Sequence, residues 1–274
     1  MNDVPLIDIR NATVFRGSTR VFRHFNLSIP QHEPVAILGP NGSGKTTLLK
    51  LINREIYPVL DDSASVRILG RDRWNVWELR SHIGIVSHDL QANYKNDVTG
   101  LDVVLSGFLS SIGVHGLLAD RISVSHKDKA FEILEELDAT ELAARKLKHM
   151  STGQQRRCVL ARALVHEPDT LILDEPTAGL DLAAAFDYLE RVRKLSAAGR
   201  NIVLVSHSLN EIPLEIDRVI LLRDGQIVAD GPKARVLTED KLYETFGTRV
   251  RVAIIDGYYL AYPAAAKSDV RVVD

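Results

Sequence analysis

The chain has 274 residues, of which 45% are hydrophobic and 26% are charged, an ordinary balance for a soluble globular protein. Its 34 basic and 36 acidic residues give a formal net charge of −2, which argues against a surface that wraps nucleic acid. The single cysteine excludes an intrachain disulfide, no apolar run approaches the length of a membrane-spanning helix, and the N-terminus lacks the pattern of a secretion signal. We therefore expect a cytoplasmic protein without a membrane span of its own.

The N-terminal part of the chain is predicted to form strands and short helices. Apolar and β-branched residues alternate in part along "PLIDIRNATVF" and "RVFRHFNLSI", which predicts two strands. "PVAILG" has the composition of a short buried strand and runs directly into a helical stretch, "SGKTTLLKLIN". A further strand, "SVRILG", precedes a short helix and a strand in "WNVWELRSHIGIVS". These elements indicate an antiparallel β subdomain followed by the first units of an α/β core.

From Leu90 to His149 the pattern changes to helical spacing. Apolar residues recur at helical intervals in "GLDVVLSGFLSSIG" and in "SHKDKAFEILEELDATELAARKL", and Ser125 is a candidate N-cap for the second of these helices. No strong strand pattern interrupts this region. We predict an inserted helical lobe over residues 90–150.

Beyond the lobe, strands and helices alternate again. The helix "QQRRCVLARALVHEP" is followed by a buried strand in "TLILDEP", a helix that Gly199 ends, and the strand "NIVLVSHS". "RVILLRDGQIVADG" is typical of a hairpin that turns at Asp224-Gly225. Alternation of this kind predicts a doubly wound, mainly parallel sheet. The C-terminal extension, residues 236–274, is predicted to hold a short helix and a hairpin.

"GPNGSGKT" fits the phosphate-loop pattern G-x-x-x-x-G-K-[ST], and it lies between a buried strand and a helix, as the mechanism requires. The glycines let the backbone curl so that several N–H groups face phosphates, and Lys45 supplies a point charge for them. The hydroxyl of Thr46 is placed to bind Mg²⁺. The pattern predicts a nucleotide site with ATP and Mg²⁺. The residues assigned to phosphate binding are Gly39, Asn41, Gly42, Ser43, Gly44, Lys45, Thr46 and Thr47.

Polar residues also end two other predicted core strands. Asp174 and Glu175 follow "TLIL" directly, and the carboxyl ends of strands are where open α/β sheets bind ligands. One carboxylate can hold a metal while the other polarises an attacking water. His207 ends "NIVLVS" and could stabilise charge near a γ-phosphate. Together with a phosphate loop, these side chains indicate phosphoryl chemistry.

A second helix start with free backbone N–H groups lies in "HMSTGQQRRCVLARAL". Taken in order, "GPNGSGKT", "MSTGQ", "LILDEP", "AGLD" and "VSH" resemble the nucleotide-binding domain of the ABC (ATP-binding cassette) ATPases. The resemblance implies that fold over residues 1–235. It also implies that the second helix start closes over ATP bound to the opposite copy of the chain, so that two subunits form two composite sites.

The resemblance assigns further roles by position. Lys45, Glu175 and His207 resemble catalytic residues, with Glu175 the general base, and Asp174 resembles a magnesium ligand that acts through water. The residues that the resemblance places against ATP across the dimer are Ser151, Gly153, Gln154 and Asp181.

The sequence departs from the family pattern at three places. "MSTGQ" resembles the signature motif of this family. Thr152 stands where that motif usually has a glycine, and we expect function to survive because threonine is small and Gly153 is kept. His88 occupies the usual place of the Q-loop glutamine, a metal and water contact, while Gln91 comes three residues later, and either could take that role.

The third departure concerns the aromatic residue that normally stacks on adenine. Arg16 holds its place and Phe15 precedes it, and neighbours on a strand face opposite ways, so only one of them can stack. We favour Arg16.

Three basic residues of the signature helix, Arg156, Arg157 and Arg162, are expected to form a solvated face or to pair with carboxylates rather than to bind nucleic acid.

Because one motif set occurs in a chain with no membrane span, the resemblance implies an ATP-dependent homodimer held at the inner face of a membrane by separate permease subunits. The tail and the element order are similar to importer-type ATPases. The alternative is a soluble ABC ATPase without a permease, with a regulatory or assembly role.

Overall fold

A computed structural model of the chain describes residues 4–114 and 116–264. Within them the strands are β1 (Ile7–Arg16), β2 (Thr19–Ile29), β3 (Val35–Leu38), β4 (Ser65–Ile68), β5 (Ile83–Ser87), β6 (Thr170–Asp174), β7 (Asn201–Ser206), β8 (Arg218–Arg223), β9 (Gln226–Pro232), β10 (Val250–Ile255) and β11 (Tyr258–Pro263). The helices are α1 (Lys45–Ile52), α2 (Val76–His82), α3 (His88–Ala92), α4 (Gly100–Leu105), α5 (Val124–Glu136), α6 (Thr152–Leu164), α7 (Leu182–Ala197), α8 (Lys233–Val236) and α9 (Glu239–Phe246). Short 3₁₀ helices span Gly116–Arg121, Thr140–Leu142, Leu147–His149 and Leu209–Glu211.

The core is a six-stranded sheet in the order β5-β6-β7-β3-β8-β9. All neighbours in it are parallel except β8 and β9, which form the antiparallel hairpin predicted at Asp224-Gly225. Both turn residues have positive φ, 49° and 71°, as the tight turn requires. The predicted mainly parallel sheet is therefore confirmed. Its phosphate-loop strand β3 is central, with β7 on one side and β8 on the other.

The strands of this sheet are apolar on both faces because each face is covered. Along β3, Val35 and Ile37 pack into one apolar cluster with α1, whereas Ala36 and Leu38 pack into the other with α6 and α7. All four side chains are fully buried. The continuous apolar run "VAIL" thus reflects a strand between two layers, and it sets the position at which the phosphate loop leaves the sheet.

The second sheet, in the order β2-β1-β4, is antiparallel and covers α1 from outside. Its inward residues share the apolar cluster of α1 and one face of the core sheet. This confirms the N-terminal antiparallel subdomain. It also brings the β1–β2 hairpin towards the phosphate loop, since a Cβ on Gly44 would lie 2.9 Å from the ring of Phe22.

The lobe between β5 and β6 is helical, as predicted. α4 and α5 pack on α6, which carries their contact to the core. The cap of α5 is Ser123 rather than Ser125: its hydroxyl accepts a hydrogen bond from the backbone of His126, and the His126 ring accepts one from the backbone of Ser123 in return. The prediction missed this reciprocal pairing because histidine stands where a capping box usually has glutamate or glutamine.

The C-terminal part consists of α8, α9 and the β10–β11 hairpin. The proposed boundary at residue 235 falls within α8, and it stays a prediction. Residues 265–274 of the predicted extension lie outside the described residues. In the part of the chain that the structure covers, no helix combines the length and the apolar character needed to cross a membrane.

Candidate functional site

The phosphate loop connects the carboxyl end of β3 to the start of α1. Gly42 and Gly44 have φ values of 84° and 111°, a region that residues with a Cβ rarely adopt. At Gly39 the restriction is space, because a Cβ would run into the backbone oxygen of Leu222 on β8. The loop therefore needs glycine for two physical reasons, the backbone conformation at Gly42 and Gly44 and the lack of space at Gly39.

Lys45 is folded back over this loop. Its Nζ donates to the carbonyl oxygens of Gly39 at 2.7 Å and Pro40 at 3.1 Å, and only 6% of the side chain is exposed. Burial lowers the pKa of Lys45, while Glu175 and Asp174 oppose that effect. The ammonium group is thus held at the mouth of the loop by carbonyls that an anion could replace.

The other residues of the phosphate loop differ in how far they are exposed to solvent. Asn41 and Gly42 are exposed, Thr46 is half-buried and Thr47 is buried. The hydroxyl of Ser43 is buried, and it has no hydrogen-bond partner among the described residues. A buried polar atom without a partner is costly, so this hydroxyl fits a ligand oxygen held in the loop.

Two carboxylates stand at the end of β6. Asp174 is the last residue of the strand, and Glu175 leaves it in the left-handed region with φ of 46°. This conformation is uncommon for a residue with a side chain, and it is held by a backbone hydrogen bond of 2.8 Å from Glu175 N–H to the oxygen of Val205. The two acids therefore stand next to each other at the carboxyl end of β6, beside β7.

Glu175 lies between two cationic or polar partners. Its Oε1 is 3.1 Å from Nδ1 of His207 and 4.0 Å from Nζ of Lys45. His207 follows β7, which neighbours both β6 and β3, so the parallel strand order brings three sequence-distant motifs to one edge of the sheet. The three predicted catalytic residues are therefore brought together.

Asp174 lies close to two other carboxylates, those of Glu175 and Asp89. Burial, together with the carboxylates of Glu175 and Asp89, raises the pKa of Asp174 to about 6, against the opposing effects of Lys45 and Arg156. Asp174, Thr46 and Asp89 line one cleft of about 580 Å³ between the core and the helical lobe. A hydroxyl and crowded carboxylates are oxygen ligands that Mg²⁺ prefers, so the residues present fit that ion.

Asp89 is a residue that the sequence reasoning missed. The structure places it, and not the exposed His88, in the lining of this cleft. The reason is local: the Ser87 hydroxyl caps α3 by accepting from the backbone of Leu90, and the helix that starts at His88 directs Asp89 to the cleft. The placement of His88 does not support the proposed metal contact. An acid two residues after a core strand was the available signal.

Gln91, the other Q-loop candidate, packs on the signature helix. It is buried, and its Nε2 donates to Oε1 of Gln155 at 3.1 Å. Gln155 in turn donates to the backbone oxygen of Leu147 at 2.9 Å. Neither Gln91 nor His88 lines the cleft, and their role in metal binding stays a prediction without geometric support.

The signature motif forms the N-terminus of α6. Ser151 is its N-cap, and it exchanges hydrogen bonds with Gln154 in a capping box. Thr152 is exposed. Gly153 lies so close to α7 that a Cβ would be 3.0 Å from the Cβ of Ala184. Among the described residues, no hydrogen bond joins Ser151 or Gln154 to the phosphate loop or to the acids.

Asp181 and the adenine candidates lie at the surface. Asp181 caps α7, and its Oδ1 accepts from the backbone of Ala184 at 2.8 Å. Phe15 and Arg16 are both exposed at the end of β1, opposite Arg20 and Thr19. Their placement leaves the choice between the two for adenine stacking open.

One basic residue departs from the expected solvated face. Arg156 is fully buried, whereas Arg157 and Arg162 are partly exposed and donate to backbone oxygens of Asp138 and Ser111. The prediction for Arg156 was wrong because the phase of α6 turns it inward with Val159 and Leu160.

A family model described as "ABC transporter" matches residues 22–178, more than half of the chain. The chain belongs to the ABC transporter family. It binds ATP and is an ATPase, as the assembled phosphate loop and acids indicate.

Curated ABC relatives match nearly the whole chain. The phosphonates import ATP-binding protein PhnC 2 of Oceanobacillus iheyensis is 32% identical over 260 residues, covering 92% of this chain and 99% of the relative. The cobalt import ATP-binding protein CbiO of Rhodobacter capsulatus is 32% identical over 246 residues, covering 88% and 83%.

Solved ABC cassettes share the fold. The ADP conformation of MJ1267, an ATP-binding cassette of an ABC transporter, superposes with a TM-score of 0.72 at 26% identity, covering 88% of this chain and 98% of that one. The dimeric post-hydrolysis state of the cassette MJ0796, bound to ADP and Pi, has a TM-score of 0.65 at 28% identity, covering 82% and 98%.

Proposed function

We propose that this chain is the energy-coupling subunit of an importer-type ABC transporter, that it closes two composite ATP sites as a homodimer, and that separate permease subunits hold it at the inner face of a membrane. The import assignments of the phosphonate and cobalt relatives support the direction of transport. Two relatives of equal identity are named for different cargoes, phosphonates and cobalt.

The observation that carries the catalytic assignment is the position of Glu175 between His207 and Lys45. A carboxylate there accepts a proton from a water that attacks the terminal phosphate, while Lys45 and His207 donate to oxygens on which negative charge grows. Glu175 thus acts as the general base. His207 contacts the carboxylate through its Nδ1 at 3.1 Å, and with a proton on each ring nitrogen it can also donate to the phosphate through its Nε2.

Thr46 and Asp174 would hold Mg²⁺, Asp174 through water, with Asp89 adding a third oxygen donor to the lining of the cleft. The ion supplies positive charge that neutralises the phosphate oxygens. Its presence would also offset the repulsion among the carboxylates that raises the pKa of Asp174.

The signature residues require a second copy of the chain. Ser151 and Thr152 are exposed at a helix N-terminus, whose amides favour an anion, and Ser151 exchanges hydrogen bonds with Gln154 of its own helix. The dimeric state of the MJ0796 cassette supports an arrangement in which each signature meets the partner's nucleotide. Asp181, exposed at the start of α7, would lie at the same interface.

The cleft that Thr46 and Asp174 line lies between the core and the helical lobe, and it is the proposed binding site for the permease. Arg80, Lys50 and His166 line it, and Arg80 donates to the backbone oxygen of Ser110 at 2.9 Å. Burial and the nearby Arg162 lower the pKa of Arg80. Glu55, which lines the same cleft, opposes this effect, and a permease segment that carries an acidic side chain could pair with Arg80 next to the metal-binding residues.

The catalytic part of the proposal is tested by Glu175→Gln. Removal of the base should abolish hydrolysis and leave ATP binding intact, so that size-exclusion chromatography with ATP shows a stable dimer. Lys45→Ala should weaken ATP binding about 100-fold, since it removes charge-assisted hydrogen bonds to phosphate. A Glu175→Gln variant that stays monomeric in saturating ATP while hydrolysing normally would overturn the role of Glu175.

The permease part is tested by co-expression with the membrane protein encoded next to this chain. The complex should co-purify in detergent, Arg80→Glu should abolish co-purification, and Arg67→Glu on the exposed face of β4 should leave it unchanged. If no membrane protein is encoded there or none co-purifies, the alternative of a soluble ABC ATPase in regulation or assembly is favoured.

A further inference from the structure

A fully buried guanidinium in the signature helix has no role in the proposed mechanism. Arg156 lies on α6, three residues after Gly153, and none of its surface is exposed. Its Nη2 donates to the backbone oxygen of Ala178 at 3.2 Å, while its Nε and Nη1 have no hydrogen-bond partner among the described residues. Burial lowers the pKa of Arg156, and Tyr188, Glu211 and Asp174 oppose that effect. A buried charge with one neutral partner is costly, which calls for an explanation beyond packing.

A second buried charge is hydrogen-bonded to the residue before Ala178. Glu211 is 5% exposed, and its Oε1 accepts from the backbone N–H of Thr177 at 3.1 Å and from the Thr177 hydroxyl. Its Oε2 accepts from the hydroxyl of Ser206, the residue before His207. Glu211 therefore ties the end of β7 to the residue next to Ala178.

Arg156 and Glu211 are opposite in charge, yet in the described part of the structure they do not form an ion pair with each other. Each is instead bonded to one residue of the turn 175–181, which begins at the proposed base and ends at Asp181. Charge-assisted hydrogen bonds are the stronger class and are most effective away from water. Two such groups, bonded to neighbouring residues, restrict movement of the short segment Thr177–Ala178.

We propose that Arg156 and Glu211 are positioning residues that clamp the turn 175–181, and that Arg156 makes this turn follow the signature helix. The signature faces the partner's nucleotide and the turn carries the protomer's own Glu175, so the clamp connects the two sites of a dimer. This inference rests on the proposed function for the roles of Glu175 and Asp181. The clamp itself is a property of one protomer and can be measured without nucleotide.

The decisive variant is Arg156→Met. An apolar side chain of similar volume at a buried charged position is often neutral or stabilising, so a merely structural role predicts a folded, active enzyme. The clamp predicts a folded protein whose turn 175–181 exchanges its amide hydrogens at least tenfold faster. It also predicts a kcat at least tenfold lower, with KM for ATP within threefold and a Hill coefficient that falls to 1. Arg156→Lys, which can still donate to Ala178, should recover kcat to within threefold of the wild type.

Arg157→Gln is the matched control, because it removes a neighbouring guanidinium that donates to Asp138 on the surface. Glu211→Gln is the second variant, and it decides the matter if Arg156→Met does not fold. Glutamine has one accepting oxygen where glutamate has two, so it cannot accept from both Thr177 and Ser206, and exchange in the turn should rise and kcat should fall. Wild-type exchange in the turn, wild-type kcat in folded Arg156→Met, or an equal loss in Arg157→Gln would overturn the clamp. Normal hydrolysis by Glu175→Gln would instead overturn the proposed function, while the exchange rates would still report on the clamp.

Discussion

Asp174→Asn should stabilise the nucleotide-free protein while it removes a residue needed for function. The pKa of Asp174 is raised from 3.8 to about 6, with burial as the main cause and the carboxylates of Glu175 and Asp89 adding to it. A tenfold change in proton affinity corresponds to about 1.4 kcal/mol, so the ionised side chain destabilises the folded state by about 3 kcal/mol at neutral pH. Asparagine has the same shape without the charge.

The sign of the pH dependence follows from the raised pKa. Between about pH 4 and pH 6 the folded protein keeps the proton on Asp174 while the unfolded chain loses it, so stability falls as pH rises through this window. Above it the full penalty is present. The gain from Asp174→Asn should therefore be about 3 kcal/mol at pH 7.5, about half of that at pH 5 and close to zero below pH 4.

Calorimetric unfolding in EDTA without nucleotide measures this gain, which corresponds to a rise in Tm of about 6–10 °C at pH 7.5. Addition of ATP and Mg²⁺ should raise the Tm of the wild type by more than that of the variant, since the variant lacks the proposed metal contact. Asp128→Asn on the exposed face of α5 is the control, with no expected change at either pH. A gain that is absent at pH 7.5, or that is equal at pH 7.5 and pH 5, would refute the reasoning.

Five further substitutions test the site. Gly39→Ala should destabilise the fold by about 3 kcal/mol or more and abolish thermal protection by ATP, because its Cβ meets the backbone of β8. Gly179→Ala, whose Cβ has open space but whose φ is 76°, should cost only about 1 kcal/mol, and equal costs in urea unfolding would contradict the steric account. Thr152→Gly should change ATPase turnover less than about threefold, because Thr152 is exposed at the start of α6; a tenfold change would show that its side chain matters. One of Phe15→Ala and Arg16→Ala, but not both, should raise the Kd of a fluorescent ATP analogue about three- to tenfold, the effect of a lost stacking contact of about 0.5–1.5 kcal/mol. Equal effects of the two variants would show that neither is the stacking residue.

The elements that local patterns determine were predicted well. The continuous apolar run before Gly39 defines a strand buried on both faces, and the glycines after it permit one backbone path to α1. The hairpin at Asp224-Gly225 follows from turn chemistry in the same way. In each case the deciding interactions lie within a few residues of one another, so the amino-acid sequence contains them directly.

The failures concern the direction of side chains near element ends. Asp89 rather than His88 reaches the cleft because the cap at Ser87 sets where α3 begins, and a shift of one residue rotates a helix position by about 100°. Arg156 was assigned to the surface although it lies three and four residues before the buried Val159 and Leu160, which is the spacing of one helix face. That spacing indicated a buried position. The group that accepts a hydrogen bond from the buried guanidinium is the backbone oxygen of Ala178, which lies more than twenty residues away in the sequence.

Gly153 has two separate roles, and its close approach to Ala184 accounts for the first of them. One is inside its own chain, where the absence of a Cβ lets α6 lie against α7. The other, in the proposed dimer, is at the nucleotide of the neighbouring subunit. A substitution at Gly153 would therefore act twice in a symmetric dimer, once as a packing defect and once as a contact defect. A mixed dimer with one altered subunit would separate them, since the packing defect stays with the altered chain and the contact defect appears at its neighbour's ATP.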